Sequence, residues 1–517
     1  MDEPRSNIQS FYKDKTIFIT GASGFMGKVL VEKLLYSCSD LNKIYVLMRA
    51  KRDRSFDDRL KDIFKLPLFQ RIRTEKSEVL NKVIPFNGDV CSDNLGLTDE
   101  QYEHLINEVN VVFHCAANLR MEAKLKDAVE MNLVGTKRVL DLAKKMKHLQ
   151  IFLHLSTAFC YVEEKELDER IYDSPNPHDI MSLVQWLDED SIDLITPKLL
   201  HPHPNTYTYT KRLAETLVAN EYPNLPCCIA RPSIVLPSYK EPIPGWVDNL
   251  NGPVGILVGG GKGIIRSMHC IGNYNAEVIP VDIAINTLIA IAYKIAASQE
   301  NSENIPVINI TQSDINRITF REILKKGKEI IYEYPFEGQI WYPTGNIHSN
   351  KFVHNIFVFF FQIIPAYLID FLMLLFQQKR FMVRIQNRIL TGLAVLQYFS
   401  TRQWKFCNKN LIALHNGMSS TDKEIFPIVI YNADIISRSY FKHVILGVRQ
   451  YCLKEDLSTL PKARRHQKIN FLFRIFVIFL IVFYEKHICF RLYVIHITTI
   501  YLLYFGVLYF IYNILFI

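Results

Sequence analysis

The sequence predicts an α/β protein: a doubly wound parallel sheet in roughly the first 300 residues, followed by a mainly helical C-terminal domain and a C-terminal transmembrane segment. Two observations predict the sheet. Short apolar runs alternate with longer amphipathic stretches, and a glycine-rich turn follows the first run. Alternating strands and helices build a parallel sheet with helices on both faces. A ligand then binds at the carboxyl ends of the strands.

The strand predictions come from runs of apolar residues too short for helices. These runs are residues 15–20, 43–48, 82–86, 109–114 and 150–155. Amphipathic helices are predicted between several of them, for example over residues 25–36 and 125–146. This order places the glycine-rich turn at the end of the first strand and the start of the first helix.

The bulk composition indicates more than one unit and an association with membranes. At 517 residues the chain exceeds one ordinary core. It is 49% hydrophobic and 22% charged, which is apolar for a wholly soluble protein of this size. The net charge of +8 is compatible with phosphorylated ligands or a membrane surface and does not point to nucleic acid.

The ten cysteines are scattered and form no C-x-x-C pair, so we expect reduced thiols in a cytosol-facing protein and no structural zinc site. The polar N-terminus lacks an apolar core, which argues against a secretory signal.

Two apolar stretches near the C-terminus bear on membranes. Residues 351–377 are interrupted by polar residues such as Gln362 and Asp370, so a buried or interfacial helical hairpin and a transmembrane span both stay open. Residues 492–517 carry no acidic residue, Lys or Arg, which favours a membrane anchor over a buried core helix. The basic cluster at residues 462–468 should then lie on the cytosolic side.

The glycine-rich turn Thr20-Gly21-Ala22-Ser23-Gly24-Phe25-Met26-Gly27 predicts a dinucleotide-binding site. In this Rossmann-type pattern, Gly21, Gly24 and Gly27 let the backbone approach a pyrophosphate. The helix that begins near Phe25 and Met26 presents its free N–H groups to the phosphates. A tight turn without a ligand is the structural alternative.

The second predicted strand ends in a basic cluster that favours NADPH over NADH. An NAD-preferring site places a carboxylate there for the ribose, whereas this chain has Arg49 and Lys51. A solvated basic turn is the alternative. Asp89 follows the third strand and is a candidate for the adenine amino group, although it would equally cap a turn.

The candidate catalytic pair is Tyr207 and Lys211, which share one helix face because they lie four residues apart. A lysine ammonium beside a phenol stabilises the phenolate, so we expect a lowered pKa for Tyr207 and a role as proton donor. Ser156 and Thr157, after the fifth strand, both fit a hydrogen bond to the substrate carbonyl, with Thr157 preferred. Tyr209 has no lysine four residues later and is a decoy.

Taken together, these motifs resemble the extended short-chain dehydrogenase/reductase superfamily. A further series narrows the resemblance to the alcohol-forming fatty acyl-CoA reductases, especially the insect-like members, over about residues 12–465. It comprises His114-Cys115-Ala116-Ala117, Met131-Asn132-Leu133-Val134-Gly135-Thr136, Arg231-Pro232-Ser233, Gly245-Trp246-Val247-Asp248-Asn249, Asn251-Gly252-Pro253-Val254-Gly255, Gly261-Lys262-Gly263, Ile279-Pro280-Val281-Asp282, Leu446-Gly447-Val448-Arg449 and Leu453-Lys454-Glu455-Asp456.

The resemblance implies reduction of a long-chain fatty acyl-CoA by NADPH to a primary alcohol, through an aldehyde. It places Ala116 on the nicotinamide side of the cofactor and Lys211 on the nicotinamide ribose. Lys262 and Arg266 are hypothetical contacts for the CoA phosphates. For the glycine-rich stretch at residues 252–263, a flexible surface loop is the alternative interpretation. A related sterol dehydrogenase or sugar epimerase, and a catalytically silent membrane scaffold, are the rival functions.

The predicted domains are an NADP-binding reductase domain over residues 1–345, a helical fatty acyl-CoA reductase domain over 346–462 and a membrane anchor over 463–517. The expected partners are the acyl-CoA and a lipid bilayer, with homo-oligomerisation left open. The expected location is the endoplasmic reticulum or peroxisomal membrane, with the catalytic domain facing the cytosol.

Overall fold

The computed structural model describes residues 6–49, 55–298, 303–312, 315–430 and 437–487, which form two compact units. Unit 1 takes its residues from 1–247, 275–318 and 404–440, and unit 2 from 248–274, 319–403 and 441–517. Each unit therefore draws on three separate parts of the chain. The sequence boundaries at residues 345 and 462 stay predictions.

The described strands alternate with helices through unit 1. In chain order they are β1 (Thr16–Thr20), β2 (Lys43–Met48), β3 (Val83–Asn87), β4 (Val111–His114), β5 (Ile151–Leu155), β6 (Glu166–Leu167), β7 (Cys227–Pro232), β8 (Ile234–Leu236), β9 (Ser267–His269), β10 (Val278–Pro280), β11 (Val307–Ile310), β12 (Asn346–His348) and β13 (Lys405–Phe406).

The main sheet of unit 1 has seven parallel strands in the order β11-β7-β5-β4-β1-β2-β3. All five strands predicted from the sequence form, and β7 and β11 extend the sheet beyond them. The strand order reverses direction beside β1, between β1 and β4. Such a switch point leaves a crevice at the carboxyl ends of the two strands, where ligands bind.

Helices cover the sheet and build unit 2. In chain order they are α1 (Asn7–Tyr12), α2 (Phe25–Ser37), α3 (Phe56–Phe64), α4 (Gln70–Glu75), α5 (Asp99–Glu108), α6 (Leu125–Val129), α7 (Gly135–Ala143), α8 (Pro177–Trp186), α9 (Glu189–Leu200), α10 (Thr206–Ala219), α11 (Pro253–Gly261), α12 (Val281–Ala297), α13 (Phe320–Glu333), α14 (Lys351–Val358), α15 (Ile364–Leu375), α16 (Met382–Ser400), α17 (Lys409–Gly417), α18 (Ser420–Ile425), α19 (Arg438–Gly447) and α20 (Leu460–His487).

The sheet of unit 1 is packed on both faces, as a doubly wound fold requires. On one face, Phe18, Val112 and Phe152 of the strands pack against residues of α5, α7 and α10. On the other, α12 packs against α2, β5 and β7. The predicted helix over residues 125–146 forms as α6 and α7, joined by a π-helical turn at Glu130–Val134.

The structure of unit 2 decides two questions that the sequence left open. The glycine-rich stretch is a helix, α11, and not a flexible loop. Helices α14 and α15 continue through a π-helical turn at Phe359–Ile363, so the stretch contains no internal hairpin. The chain turns back only at α16, after Leu375.

Among the described residues, one helix is long and apolar enough to cross a membrane by length and composition. It is Lys351–Leu375, with a mean hydropathy of 2.1 over its most apolar window. The predicted C-terminal transmembrane segment at residues 492–517 lies outside the described residues.

Candidate active site

The glycine-rich turn connects β1 to α2 and lies beside the end of β4 at the switch point. Gly21 has φ +76°, and a Cβ on it would lie 2.7 Å from the backbone nitrogen of Ala116. A Cβ on Gly27 would lie 2.3 Å from the Gly21 carbonyl oxygen. Only glycine fits at either position. The turn is therefore packed against the segment after β4, as a dinucleotide-binding crevice requires.

The N-terminus of α2 is open to a phosphate. Gly24 is its N-cap and supplies no side-chain acceptor, so the first N–H groups of the helix are left for a ligand. The Phe25 ring stacks on buried Trp246 with centroids 5.5 Å apart, and Met26 is partly exposed. Phe25 thus anchors the helix through its ring and offers a ligand only its backbone.

Arg49 and Asp89 meet at the ends of β2 and β3. Their side chains form an ion pair at 3.5 Å, in which Arg49 is largely exposed. Asp89 also accepts a hydrogen bond from the backbone N–H of Cys91 at 3.0 Å, so it does cap a turn. Its contact with adenine stays a prediction, and Lys51 lies outside the described residues.

Helix α10, which carries the candidate residues Tyr207 and Lys211, begins at an Asn205 cap that accepts the Thr208 N–H at 2.9 Å. One turn later, Lys211 is buried, and its ammonium donates to the carbonyl oxygen of Leu155 at 2.6 Å. Burial lowers the pKa of Lys211 to about 8. The helix therefore fixes Lys211 directly beneath the carboxyl end of β5, the strand that leads into Ser156 and Thr157.

The pKa of Tyr207 is raised in this structure, mainly by burial. A hydrogen bond with Thr157 opposes that shift, whereas Lys211 has no resolved effect on it. The expectation of a lowered pKa for Tyr207 is therefore wrong, because burial outweighs the hydrogen bond with Thr157. The Lys211 ammonium instead donates to Leu155. Tyr207 is therefore a neutral hydroxyl at physiological pH, and its side chain is partly exposed.

The structure distinguishes the two residues after β5. Thr157 hydrogen-bonds Tyr207 and caps the Phe159 N–H at 3.3 Å. The Ser156 hydroxyl is buried, and within the described ranges it has no hydrogen-bond partner of good geometry. It does face the Cys160 thiol, whose pKa it lowers against a larger raise by burial.

A buried hydrogen-bond chain, not recognised from the sequence, joins β1 to α10. His114 contacts the hydroxyls of Thr20 at 2.8 Å and Thr136 at 2.9 Å. Asn132, in the π-helical turn, donates to Thr210 of α10 at 2.9 Å and accepts the N–H of Asn118 at 2.7 Å. Asn132 and His114 both belong to motifs quoted above, which was the available signal.

A buried ion pair lies on the same helix, one turn beyond Lys211. Arg231 of β7 makes two hydrogen bonds to Glu215, at 2.9 and 2.7 Å, and both side chains are fully buried. The Cys160 thiol also contacts Glu215 at 3.2 Å. The pair ties α10 to the sheet. Its signal in the sequence was an arginine within an otherwise apolar strand.

The remaining candidates have structural partners. Tyr209 is buried against His203 on another face of α10, which fits its status as a decoy. In unit 2, Lys262 pairs with Glu455 at 3.3 Å, and the Arg266 guanidinium lies 3.8 Å from the Trp341 ring. A role for either cation in CoA binding stays a hypothesis.

Comparison with protein families gives matches to both parts of the chain. The NAD-binding model described as male sterility protein matches residues 19–288, and the Sterile model of the same description matches residues 361–455.

Curated relatives match along most of their length. Fatty acyl-CoA reductase 1 of Mus musculus is 36% identical over 461 residues, which are 89% of each chain. Fatty acyl-CoA reductase 2 of Mus musculus is 36% identical over 473 residues, covering 90% of this chain and 91% of its own. A putative fatty acyl-CoA reductase of Drosophila melanogaster is 35% identical over 470 residues, with the same coverage.

Solved structures share the fold at low identity. The terminal R domain of the myxalamid biosynthetic pathway has a TM-score of 0.55 at 15% identity, covering 86% of this chain and 93% of its own. A reductase domain of a non-ribosomal peptide synthetase from Mycobacterium tuberculosis has a TM-score of 0.53 at 15% identity, covering 86% and 95%. These likenesses concern the fold alone.

Proposed function

The chain belongs to the fatty acyl-CoA reductase family, and we propose that it uses NADPH to reduce a long-chain fatty acyl-CoA to a primary alcohol through an aldehyde. Free CoA leaves after the first reduction. The observation that carries the proposal is the meeting of Tyr207, Thr157 and Lys211 at the carboxyl end of β5, in a chain 36% identical to a fatty acyl-CoA reductase over 89% of its length.

A nicotinamide cofactor is supported by the match to an NAD-binding family model and by the turn at Gly21. When bound, it supplies the hydride for each reduction. Gly21, Gly24 and Gly27, with the N–H groups of Phe25 and Met26, would hold its pyrophosphate. Ala116 lies against this turn, on the side where the resemblance places the nicotinamide.

The choice of NADPH rests on Arg49 at the end of β2. A guanidinium there suits a 2′-phosphate, and a carboxylate would suit a free ribose hydroxyl. The Arg49 side chain is 63% exposed in its ion pair with Asp89, so a phosphate can compete for the guanidinium.

Tyr207 and the residues after β5 would handle the substrate oxygen. As the thioester carbonyl is reduced, negative charge develops on this oxygen, and hydroxyl donors stabilise it. Tyr207 donates the proton, while Thr157 orients it, and the Ser156 hydroxyl is available as a second donor. Collapse of the hemithioacetal releases CoA. The same groups then protonate the aldehyde oxygen in the second reduction.

Lys211 would position the cofactor ribose and support Tyr207. Its ammonium now donates to Leu155, so it has further N–H donors for a ribose hydroxyl. With a pKa of about 8 it is mostly charged at neutral pH and stabilises negative charge on the Tyr207 oxygen once it reaches that group.

Membrane anchoring is part of the proposal. The apolar segment at residues 492–517 would hold the chain in the endoplasmic reticulum or peroxisomal membrane, with unit 1 in the cytosol. A membrane location brings the enzyme to substrates with long acyl tails.

The test supplies the full chain in membranes or detergent with NADPH and a series of long-chain acyl-CoAs. Alcohol should form with consumption of two NADPH per CoA released. Accumulation of free aldehyde would contradict the second reduction, and absence of both products would contradict the function. Activity with a sterol or nucleotide sugar instead would identify a related dehydrogenase or epimerase.

The cofactor assignment has its own test. Arg49→Asp should raise KM for NADPH and lower KM for NADH, since the new carboxylate repels the 2′-phosphate and accepts the ribose hydroxyl. Exposed Arg73, on α4, gives the control Arg73→Asp, which should leave both KM values unchanged. Equal effects of both variants would contradict the role of Arg49.

A further inference from the structure

Three polar side chains of the helix Lys351–Leu375 in unit 2 pack against the protein, whereas Lys351 and Asn355 in its first turns are exposed. Gln362 is buried and accepts the Arg266 N–H at 2.6 Å. Asp370 is buried and accepts the N–H groups of Phe381, Met382 and Val383 at 2.9, 2.8 and 3.0 Å, which caps the start of α16. His354 contacts the Ser267 hydroxyl at 2.7 Å. The protein thus covers one side of this helix along its length.

The opposite side of the same helix is apolar and exposed. Phe352 is 72% exposed, Tyr367 63% and Leu375 60%. We call six exposed side chains of this helix the apolar row: Phe352, Ile356, Phe360, Tyr367, Phe371 and Leu375. Soluble proteins rarely expose so many large apolar side chains together, and such patches mark a surface that is covered.

A second helix of unit 2 also exposes apolar side chains. Leu368 and Leu372 of α15 and Phe473 and Val477 of α20 all pack against Trp341. On α20, six further apolar side chains are exposed: Phe471, Leu472, Ile475, Phe476, Ile478 and Phe479. Large apolar side chains are therefore exposed on two helices of unit 2 that both contact Trp341.

The surroundings of the apolar row are basic. Residues 351–403 contain six Lys or Arg and one acid, Asp370, which is buried. Arg380, Arg384 and Arg388 are exposed at intervals of four residues, on α16 and the turn before it, and α16 packs against α15. Four-residue spacing puts Arg384 and Arg388 on one face of α16. Within residues 351–403 every exposed charge is therefore a cation, and an apolar surface beside such charges is complementary to anionic phospholipids.

We propose that the helix Lys351–Leu375 lies in the plane of an anionic lipid membrane, with its apolar row among the acyl chains, and does not cross it. A crossing helix would carry Gln362, Asp370 and the backbone groups they bond into the hydrocarbon, where polar groups are costly. An in-plane helix keeps that side in the protein. This proposal stands apart from the reductase reaction and from the anchor at residues 492–517.

The depth of three positions on the helix distinguishes the two arrangements. We would replace Phe352, Phe360 or Phe371 by cysteine in the full chain, attach a fluorophore, and reconstitute the protein in phosphatidylcholine–phosphatidylserine vesicles. Quenchers would be placed at the lipid headgroup or deep in the acyl chain. Positions 352 and 371 are about 28 Å apart along a helix, close to the thickness of a bilayer core.

An in-plane helix gives the same shallow depth at all three positions. A crossing helix gives the deepest quenching at Phe360→Cys and would overturn the proposal. No lipid quenching at any position would mean that protein covers the apolar row, either a second copy or another part of this chain, and would also overturn it. Trp186→Cys, 85% exposed in unit 1, is the control that should stay unquenched. The parent protein, labelled in the same way, gives the background fluorescence from its native cysteines.

A second experiment tests whether the exposed arginines of α16 favour anionic lipid. Arg384→Gln with Arg388→Gln should make the quenching at Phe360→Cys depend less on phosphatidylserine, because each cation near such a surface contributes about fivefold in partitioning at low salt. Lys198→Gln with Lys325→Gln removes two exposed charges elsewhere and should change nothing. Equal behaviour of both pairs would overturn the anionic preference. Reductase activity measured on the same vesicles separates a failed reaction from a failed membrane contact.

Discussion

Units 1 and 2 differ in how far they bury their apolar helices. In unit 1, every residue of α12 from Val281 to Ala292 is buried. In unit 2, the helix Lys351–Leu375 is similarly apolar, yet only 28% of its most apolar window is buried. The two helices are alike in composition, so their difference in burial comes from the residues that pack around each of them. Apolar composition therefore predicts that a helix is removed from water. The packing around the helix then shows whether protein or another apolar phase covers it.

The units also differ in the polar groups that they bury. Unit 1 encloses Lys211, Glu215, Arg231, His114 and His154 around its sheet. Burial lowers the pKa of His114 to about 3, so it is a neutral link in its hydrogen-bond chain. A dry, polar interior strengthens the electrostatic interactions that stabilise a developing oxyanion. This contrast predicts large effects for substitutions of buried polar and apolar groups in unit 1 and small ones at the exposed apolar side chains of unit 2.

The largest effect is expected for Tyr207→Phe, which removes the proton donor and keeps the ring. We expect kcat for alcohol formation to fall by about 10²- to 10⁴-fold, the usual contribution of general acid catalysis. Tyr209→Phe is the matched control on the same helix and should stay close to the parent. Product analysis by gas chromatography measures both. Full activity in Tyr207→Phe would contradict its role and would mean that another group, such as the Ser156 hydroxyl, supplies the proton.

Arg231→Met tests the buried ion pair. It leaves the Glu215 carboxylate enclosed without its partner, so we expect a loss of about 3–5 kcal/mol in the free energy of unfolding, measured by denaturant titration in detergent. Lys137→Met removes one partner of an exposed pair, Lys137 and Asp141, and should cost less than about 0.5 kcal/mol. The double variant Arg231→Met with Glu215→Leu should recover most of the loss. Equal losses in the two single variants would show that unit 1 does not enclose the pair.

Local patterns explain what the sequence could predict. The five strands, the turn at Gly21 and the spacing of Tyr207 and Lys211 each depend on residues close together in the chain, where periodicity and turn chemistry operate. The contact of Thr20 with His114, 94 residues apart, depends on which strands become neighbours, and this the sequence pattern does not contain. The division of the chain into units drawn from three segments each is non-local in the same way.

The errors have physical causes as well. The pKa of Tyr207 depends on its burial and on where the Lys211 ammonium points, and spacing along a helix specifies neither. A hairpin within residues 351–377 was one of two alternatives left open, and it rested on the polar interruptions Gln362 and Asp370. These residues instead face the protein from one continuous helix, where each has hydrogen-bond partners.

Lys211 makes the stability of unit 1 depend on pH. Burial lowers its pKa to about 8 from a reference of 10.5. Between these values the unfolded chain binds a proton that the folded chain does not, so the free energy of unfolding rises with pH in this window. Lys211→Met should remove about 1–3 kcal/mol of that rise, taken as the difference between parent and variant unfolding at pH 7.5 and 10. Parallel changes in both proteins would mean that the folded state keeps Lys211 charged.

The smallest effect is expected on the exposed side of unit 2. Leu374 is 56% exposed, so Leu374→Ala leaves no enclosed cavity and should change the free energy of unfolding by less than about 0.5 kcal/mol. Leu288→Ala makes the same truncation in fully buried α12 and should cost about 2–5 kcal/mol, because the surrounding side chains cannot fill the space. Denaturant titration of both in the same detergent gives the comparison directly. If the two losses were equal, protein would enclose Leu374 as it encloses Leu288, and the two helices would share one environment.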